Sequence, residues 1–209
     1  VIWDLLVRPY YRKLGALRIE EYGGVPGPSA HDLADIRTAD GFEPFDTPYP
    51  VPRTRQQAVA LYGNPGKGTL DRKWERENMV VAENLPGAPL GRLYVHRKAE
   101  ECLREAMRRS RLACPSYAIE RLGCFNFRQQ RHDPSRPLSY HAFGVAVDID
   151  PEKNSAKRLS HVECFSDEWY DIWPEGLPQA FIRAWESCGW TWGGRWRPFV
   201  DPMHFQLVG

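Results

Sequence analysis

Proline and glycine set the first limits on this chain. Residues 1–70 hold 8 Pro and 8 Gly, clustered in runs such as Gly23-Gly24-Val25-Pro26-Gly27-Pro28 and Thr47-Pro48-Tyr49-Pro50-Val51-Pro52. A proline ring fixes φ and removes a backbone donor, so this density blocks long helices and central strands. Residues 1–75 therefore read as an extended, irregular arm with one short helix near Arg55–Tyr62. Over the whole chain, Pro and Gly number 18 and 17 of 209 residues, well above the usual share of roughly 12%.

Beyond Val95 the pattern is that of an ordinary domain. Lys98–Leu112 predicts a helix, with Cys102, Leu103, Ala106 and Met107 on one face and charges opposite. Pro115 stops it. Tyr117–Phe127 and Val145–Ile149 read as strands. Pro178–Ser187 predicts a second helix, with Pro at its start, Phe181, Ile182 and Trp185 inward and Gly189 at its end. Met203–Val208 reads as a closing strand. Strands interleaved with helices and irregular loops predict an α+β fold: a small antiparallel sheet flanked by helices, with a domain over 76–209. Tryptophans crowd between Trp169 and Trp196, which points first to core and second to an aromatic wall around a site.

Charge excludes some functions. Lys and Arg number 28 against 27 Asp and Glu, a net of +1, which gives no support to a charge-driven nucleic-acid binder. No apolar run approaches the ~18 residues of a membrane span. Val1–Val7 is short and carries Asp4, so it does not read as a signal peptide. The chain opens on Val1 rather than Met, so an export signal upstream stays open. Five cysteines, Cys102, Cys114, Cys124, Cys164 and Cys188, show no C-x-x-C spacing. The odd number leaves at least one thiol free in a monomer, and the sequence does not choose a pairing.

Two lookalike motifs fail. Gly63-Asn64-Pro65-Gly66-Lys67-Gly68-Thr69 resembles a phosphate loop, but Gly68 separates the Lys from its hydroxyl residue. Asp148-Ile149-Asp150-Pro151-Glu152 resembles the start of a calcium loop, but its sixth position is Lys153 and its twelfth Leu159. Neither G-x-S-x-G nor H-E-x-x-H occurs.

Two segments carry chemistry: Ser139-Tyr140-His141-Ala142-Phe143-Gly144-Val145-Ala146-Val147-Asp148 and Asp201-Pro202-Met203-His204-Phe205. His141, Asp148 and His204 offer two imidazoles and a carboxylate, a donor set suited to zinc with a coordination position left for water. Gly144 lets the chain turn between His141 and the strand bearing Asp148. Asp148 ends an apolar strand, where a bare carboxylate is costly without a cation or strong donors. Asp201 lies three residues before His204, close enough to face the same water. Residue types leave the plainer readings open: a lone His is commonly a hydrogen-bonded core or surface residue, and Asp148 could cap a turn through Asp150-Pro151.

The spacing Ser139-x-His141-x-x-Gly144-x-Ala146-x-Asp148, followed by Asp201-x-x-His204, resembles the zinc D-alanyl-D-alanine carboxypeptidase family. Its members include L-alanyl-D-glutamate endopeptidases and phage endolysins. Gly123-Cys124-Phe125-Asn126-Phe127-Arg128 and Gly189-Trp190-Thr191-Trp192-Gly193-Gly194-Arg195-Trp196 are further matches, and the resemblance spans roughly residues 95–209. It implies one zinc ion held by His141, Asp148 and His204, with Asp201 as general base. Many carboxypeptidase members carry Glu there, whereas Asp is similar to the endopeptidase branch. Arg128 corresponds to the arginine that polarises the scissile carbonyl, with Arg131 as its rival. Ser139 supports the substrate or the His141 loop, and Trp192, with Trp190 and Trp196, could wall the cleft. His161 and Glu163 are competitors for the metal outside the matched motifs. The implied activity is zinc-dependent hydrolysis of a peptidoglycan stem peptide by a monomer acting at the cell wall, whether periplasmic, extracellular or phage-delivered. Another zinc amidohydrolase, or a non-catalytic zinc-bearing wall-binding module, are the competing readings.

Overall fold

The computed structural model describes residues 37–38, 41–155, 162–173 and 176–209. Most of the expected arm, residues 1–36 and 39–40, lies outside them, as does His161. Strands β1 (Arg37–Thr38) and β2 (Gly41–Phe42) form a minimal ladder. Helix α1 (Arg55–Tyr62) follows, then the short pair β3 (Gly66–Lys67) and β4 (Thr69–Leu70), and helix α2 (Arg72–Asn78). A hairpin of β5 (Met79–Glu83) and β6 (Arg92–His96) leads into helix α3 (Glu100–Ala113). The remaining strands and α-helices are β7 (Leu122–Gly123), β8 (Ala146–Ile149), α4 (Asp167–Ile172), α5 (Gln179–Glu186), β9 (Thr191–Trp192) and β10 (His204–Gln206). The architecture is the mixed α+β that the interleaved pattern predicts.

The central sheet has four antiparallel strands in the order β7-β8-β10-β9. Its register sets Asp148 opposite His204, Val147 opposite Phe205 and Ala146 opposite Gln206. Side chains alternate across a sheet, so Val147 and Phe205 enter the core while Asp148, His204 and Gln206 share the other face.

The two helices that the sequence predicts beyond Val95 are present and pack together. Cys102, Leu103, Ala106 and Met107 of α3 are all buried, and so are Phe181, Ile182, Ala184 and Trp185 of α5. Trp185 Nε1 donates to Ser110 Oγ at 3.3 Å, and Trp190 Nε1 donates to the Cys102 carbonyl at 3.2 Å. Four tryptophans, Trp169, Trp185, Trp190 and Trp192, are fully buried. Burying a large apolar side chain stabilises the fold by roughly 1.5–3 kcal/mol, so this cluster is a main prop of the fold.

The core reaches into the Pro/Gly-rich stretch. Helix α1 forms over the span that the sequence predicts, capped by Thr54, whose hydroxyl accepts from Gln57 N at 3.2 Å. Its Ala58 and Tyr62 are buried in the same core as α3 and α5.

The expected strand over Tyr117–Phe127 shrinks to Leu122–Gly123. Glu120 N and Arg121 N both donate to Asp150 Oδ1, at 2.8 and 2.6 Å, and Tyr117 Oη donates to Oδ2 at 2.9 Å. Those amides satisfy themselves on a carboxylate instead of a neighbouring strand. The same bonds occupy Asp150, a residue of the failed calcium-loop lookalike. All five cysteines are free thiols, four of them buried and Cys164 partly exposed. No helix among the described residues is long and apolar enough to cross a membrane.

Candidate metal centre

Three short segments bring the site together. His141 sits in a 310 turn, Tyr140–Phe143, between the Ser139 cap and Gly144. The Ser139 hydroxyl accepts from His141 N at 3.4 Å. Gly144 has φ +67°, and a Cβ there would lie 2.5 Å from Met79 Cε and 2.8 Å from His96 N. Only glycine meets both the backbone conformation and the close approach. Asp148 comes from β8 and His204 from β10, as direct cross-strand neighbours. Opposite Asp148 on its other side stands Gly123, which adds no side chain.

The three donors converge. His141 Nε2 lies 3.2 Å from His204 Nδ1 and 3.2 Å from Asp148 Oδ2, and His204 Nδ1 lies 3.0 Å from Asp148 Oδ1. Outer hydrogen bonds decide where the ring protons sit. His141 Nδ1 donates to the Cys124 carbonyl at 2.6 Å, which turns a bare Nε2 inward. His204 Nε2 donates to Gln206 Oε1 at 3.2 Å, which turns a bare Nδ1 inward. Gln206 is itself oriented, because its Nε2 donates to the Val208 carbonyl at 2.9 Å.

With those tautomers, two imidazole lone pairs and a carboxylate face one another, and no proton lies between them. Three acceptors in buried contact repel unless a cation joins them. Donors at about 2.0–2.2 Å from a zinc ion stand roughly 3.3 Å apart in tetrahedral geometry, close to the 3.0–3.2 Å edges here. The donor set and its spacing therefore fit zinc. The outer partners are of the kind that hold metal-binding imidazoles in place.

In metal-free protein, a proton between His204 and Asp148 can stand where the cation would. Burial pushes the Asp148 carboxyl up, but hydrogen bonds and charge from His141 and His204 outweigh it and hold the group well below the ordinary carboxylate range. Burial pulls the His204 imidazole down, but the bond and charge of Asp148, with Asp201 and Gln206 adding, raise it overall.

Asp201 stands beside it. Burial, with the nearby Asp148 charge, lifts its carboxyl above the usual value, against the pull of His204, His141 and Arg128. Its amide donates to the Gly193 carbonyl at 3.0 Å, and its carbonyl accepts from His204 N at 3.0 Å. A Cβ on Gly193 would fall 2.5 Å from the Asp201 carbonyl oxygen and 3.2 Å from its Cβ, so Gly193 makes the close approach possible.

The remaining expected residues separate by position. Arg128 belongs to the same neighbourhood: its charge acts on Asp201, and its buried Nε has no hydrogen-bond partner. Arg131 is exposed, with its guanidinium 4.3 Å from the Phe199 ring centroid. Ser139 caps the His141 turn. Trp192 is fully buried, stacks on Trp173 and donates from Nε1 to the Pro202 carbonyl at 2.8 Å. It has no face to offer a cleft, and its place is beneath the loop bearing Asp201. Trp190 is also core, whereas Trp196 is half-buried with its ring 5.2 Å from that of His204. Glu163 is exposed and outside the cluster.

Two participants escape the motif reading: Gln206 and the Cys124 carbonyl. Gln206 carried a signal, since strand periodicity puts it on the face of His204. A backbone carbonyl leaves none.

Residues 132–207 match the sequence model of a family described as D-alanyl-D-alanine carboxypeptidase. The matched segment holds His141, Asp148, Asp201 and His204 and begins after Arg128 and Arg131. No curated protein and no solved structure matches the chain. Over residues 132–207, about a third of its length, the chain is thus similar to the D-alanyl-D-alanine carboxypeptidase family.

Proposed function

We propose that this protein hydrolyses a peptide bond in peptidoglycan stem peptides, of the D-Ala-D-Ala carboxypeptidase or L-Ala-D-Glu endopeptidase type. The observation that carries the reading is the convergence of His141 Nε2, His204 Nδ1 and Asp148 with their tautomers set from outside. These three residues hold one zinc ion. When bound, the ion supplies a water of lowered pKa and an electrophilic contact for a carbonyl oxygen.

The chain's own groups do the rest. Asp201 takes a proton from the attacking water and returns it to the leaving amine. An ordinary Asp carboxylate, with pKa near ~3.9, is a weak base at neutral pH, and burial strengthens it. Arg128 donates to the carbonyl oxygen as negative charge develops, with Arg131 at the rim as the alternative donor. Removing one such donor typically costs about 3 kcal/mol of transition-state stabilisation. Ser139 holds the His141 turn. The protein works as a monomer at the wall, from the periplasm, the cell exterior or a phage particle, and residues 76–209 carry the peptidase domain.

Digestion of purified peptidoglycan by zinc-loaded protein, read by mass spectrometry, tests this and names the bond. New stem-peptide fragments are expected from the native protein. Their absence from a fully metallated sample would refute it.

A further inference from the structure

The segment matched to the family does not complete the metal centre. Helix α1, some seventy residues upstream of it, grips both chain segments that deliver the histidines. At its first turn, Arg55 Nη2 donates to the Leu138 carbonyl at 2.6 Å. The same guanidinium lies 4.8 Å from the Tyr140 ring centroid and 5.8 Å from that of Phe143. Leu138, Tyr140 and Phe143 bracket His141. At its last turn, Tyr62 Oη donates to the Leu207 carbonyl at 3.1 Å, just past β10 and His204. Gly209 N donates to the Pro52 carbonyl at 2.8 Å, closing the second grip from the residues before the helix.

The Arg55 contact adds a side-chain clamp at the entry to the His141 turn, whose other bonds come from the 124–129 segment and from the turn itself. The turn has a side-chain cap bond from Ser139, 3.4 Å long, and backbone bonds from Ala142 N to the Ser139 carbonyl at 3.0 Å and from Asn126 N to the His141 carbonyl at 3.1 Å. Leu138 also forms an isolated bridge to Gln129, and Ser139 N donates to the Arg128 carbonyl at 2.9 Å. One guanidinium thus bears on the turn of His141 and, through this small ladder, on the backbone of Arg128. Its planar fork and stacking face suit it to fixing a carbonyl and an aromatic ring together.

We propose that Arg55 is a positioning residue for the metal centre, holding the 138–143 turn so that His141 meets Asp148 and His204 at zinc-binding distance. The inference rests on the zinc reading above. It gives the described end of the Pro/Gly-rich stretch a part in building the site.

The test is the zinc dissociation constant, from competition with a chromogenic chelator, together with the visible spectrum of the Co2+-substituted protein. Wild type is measured first. A wild-type protein that takes up neither metal would bring down the zinc reading itself, which separates that failure from the failure of this inference. For Arg55→Ala the expected result is about tenfold weaker zinc binding and altered Co2+ bands, with Arg55→Lys lying between it and wild type. Gln56→Ala, on the exposed side of the helix, should match wild type. A residue that only stabilised the fold would lower the melting temperature and leave the Co2+ bands of the folded protein in place. Wild-type affinity and bands in folded Arg55→Ala would overturn the proposal. If that variant does not fold, Arg55→Lys and Tyr140→Leu carry the same reading, and wild-type values in both would overturn it.

Discussion

Replacing Gln206 with leucine tests the metal centre through a residue that offers no atom to the metal and acts only on the far nitrogen of His204. Leucine keeps much of the volume and removes both hydrogen bonds, the one from His204 Nε2 at 3.2 Å and the one to the Val208 carbonyl at 2.9 Å. Metal binding needs the His204 proton on Nε2. Without Gln206, the free imidazole can move its proton to Nδ1 and donate to Asp148 Oδ1, 3.0 Å away. Binding zinc must then reverse that tautomer and leave a buried N–H without an acceptor, a penalty of about 1–3 kcal/mol. Loss of such an outer partner typically weakens metal affinity about 10–100-fold, or roughly 1.4–2.7 kcal/mol, so the two estimates agree. The assay is chelator competition at pH 7, with circular dichroism as a fold control. Gln206→Glu, which still accepts from Nε2 but cannot donate to Val208, should keep more affinity than Gln206→Leu. A folded Gln206→Leu protein binding zinc within twofold of wild type would refute the tautomer reasoning.

Other expectations follow from the same geometry. Asp201→Asn should retain zinc and lose turnover by about 10²–10⁴-fold, the usual span for a general base; metal content and peptide release, measured on one sample, check both halves. His204→Ala should abolish stoichiometric zinc uptake, read by elemental analysis of the dialysed protein. Gly144→Ala combines φ +67° with a Cβ 2.5 Å from Met79 Cε and should destabilise the protein by at least about 1–2 kcal/mol, read from a urea melt. In metal-free protein, the raised His204 imidazole contributes stability that is full below its unfolded pKa and lost as pH rises through the higher folded value. The depressed Asp148 carboxyl contributes above its unfolded pKa and loses this only in strong acid. The apo melting temperature should therefore fall on going from mildly acidic to alkaline pH, while the increment on adding zinc grows; an apo melting curve that instead rises across that range would contradict the pairing.

Much of the site was readable in one dimension because its chemistry is written in residue types at fixed spacing. His141, Gly144 and Asp148 fall within eight positions, and Asp201 and His204 within four, so local chain geometry already limits where they can point. The strands of β8 and β10 and the helices α1, α3 and α5 were readable for the same reason, from apolar periodicity or punctuation by Pro and Gly. The strand over Tyr117–Phe127 was overread because its competitor, the Asp150 carboxylate, acts from some thirty residues away. The β5–β6 hairpin passed unread because adjacent Val80 and Val81 break the alternation on which strand reading depends. Trp192 misled for a related reason: an indole in a motif reads the same whether its face meets substrate or Trp173.

The sequence by itself determined an α+β chain with a His-Asp-His donor set and a neighbouring acid, since these depend on composition, period and short-range spacing. Folding alone decided that β10 lies beside β8 in the register that sets His204 against Asp148, because a slip of one residue would turn every side chain to the other face. It also decided which ring nitrogens face inward, through Cys124 and Gln206, and which part of the Pro/Gly-rich stretch braces the His141 turn. Those outcomes depend on contacts between residues far apart in the chain, which no local pattern encodes.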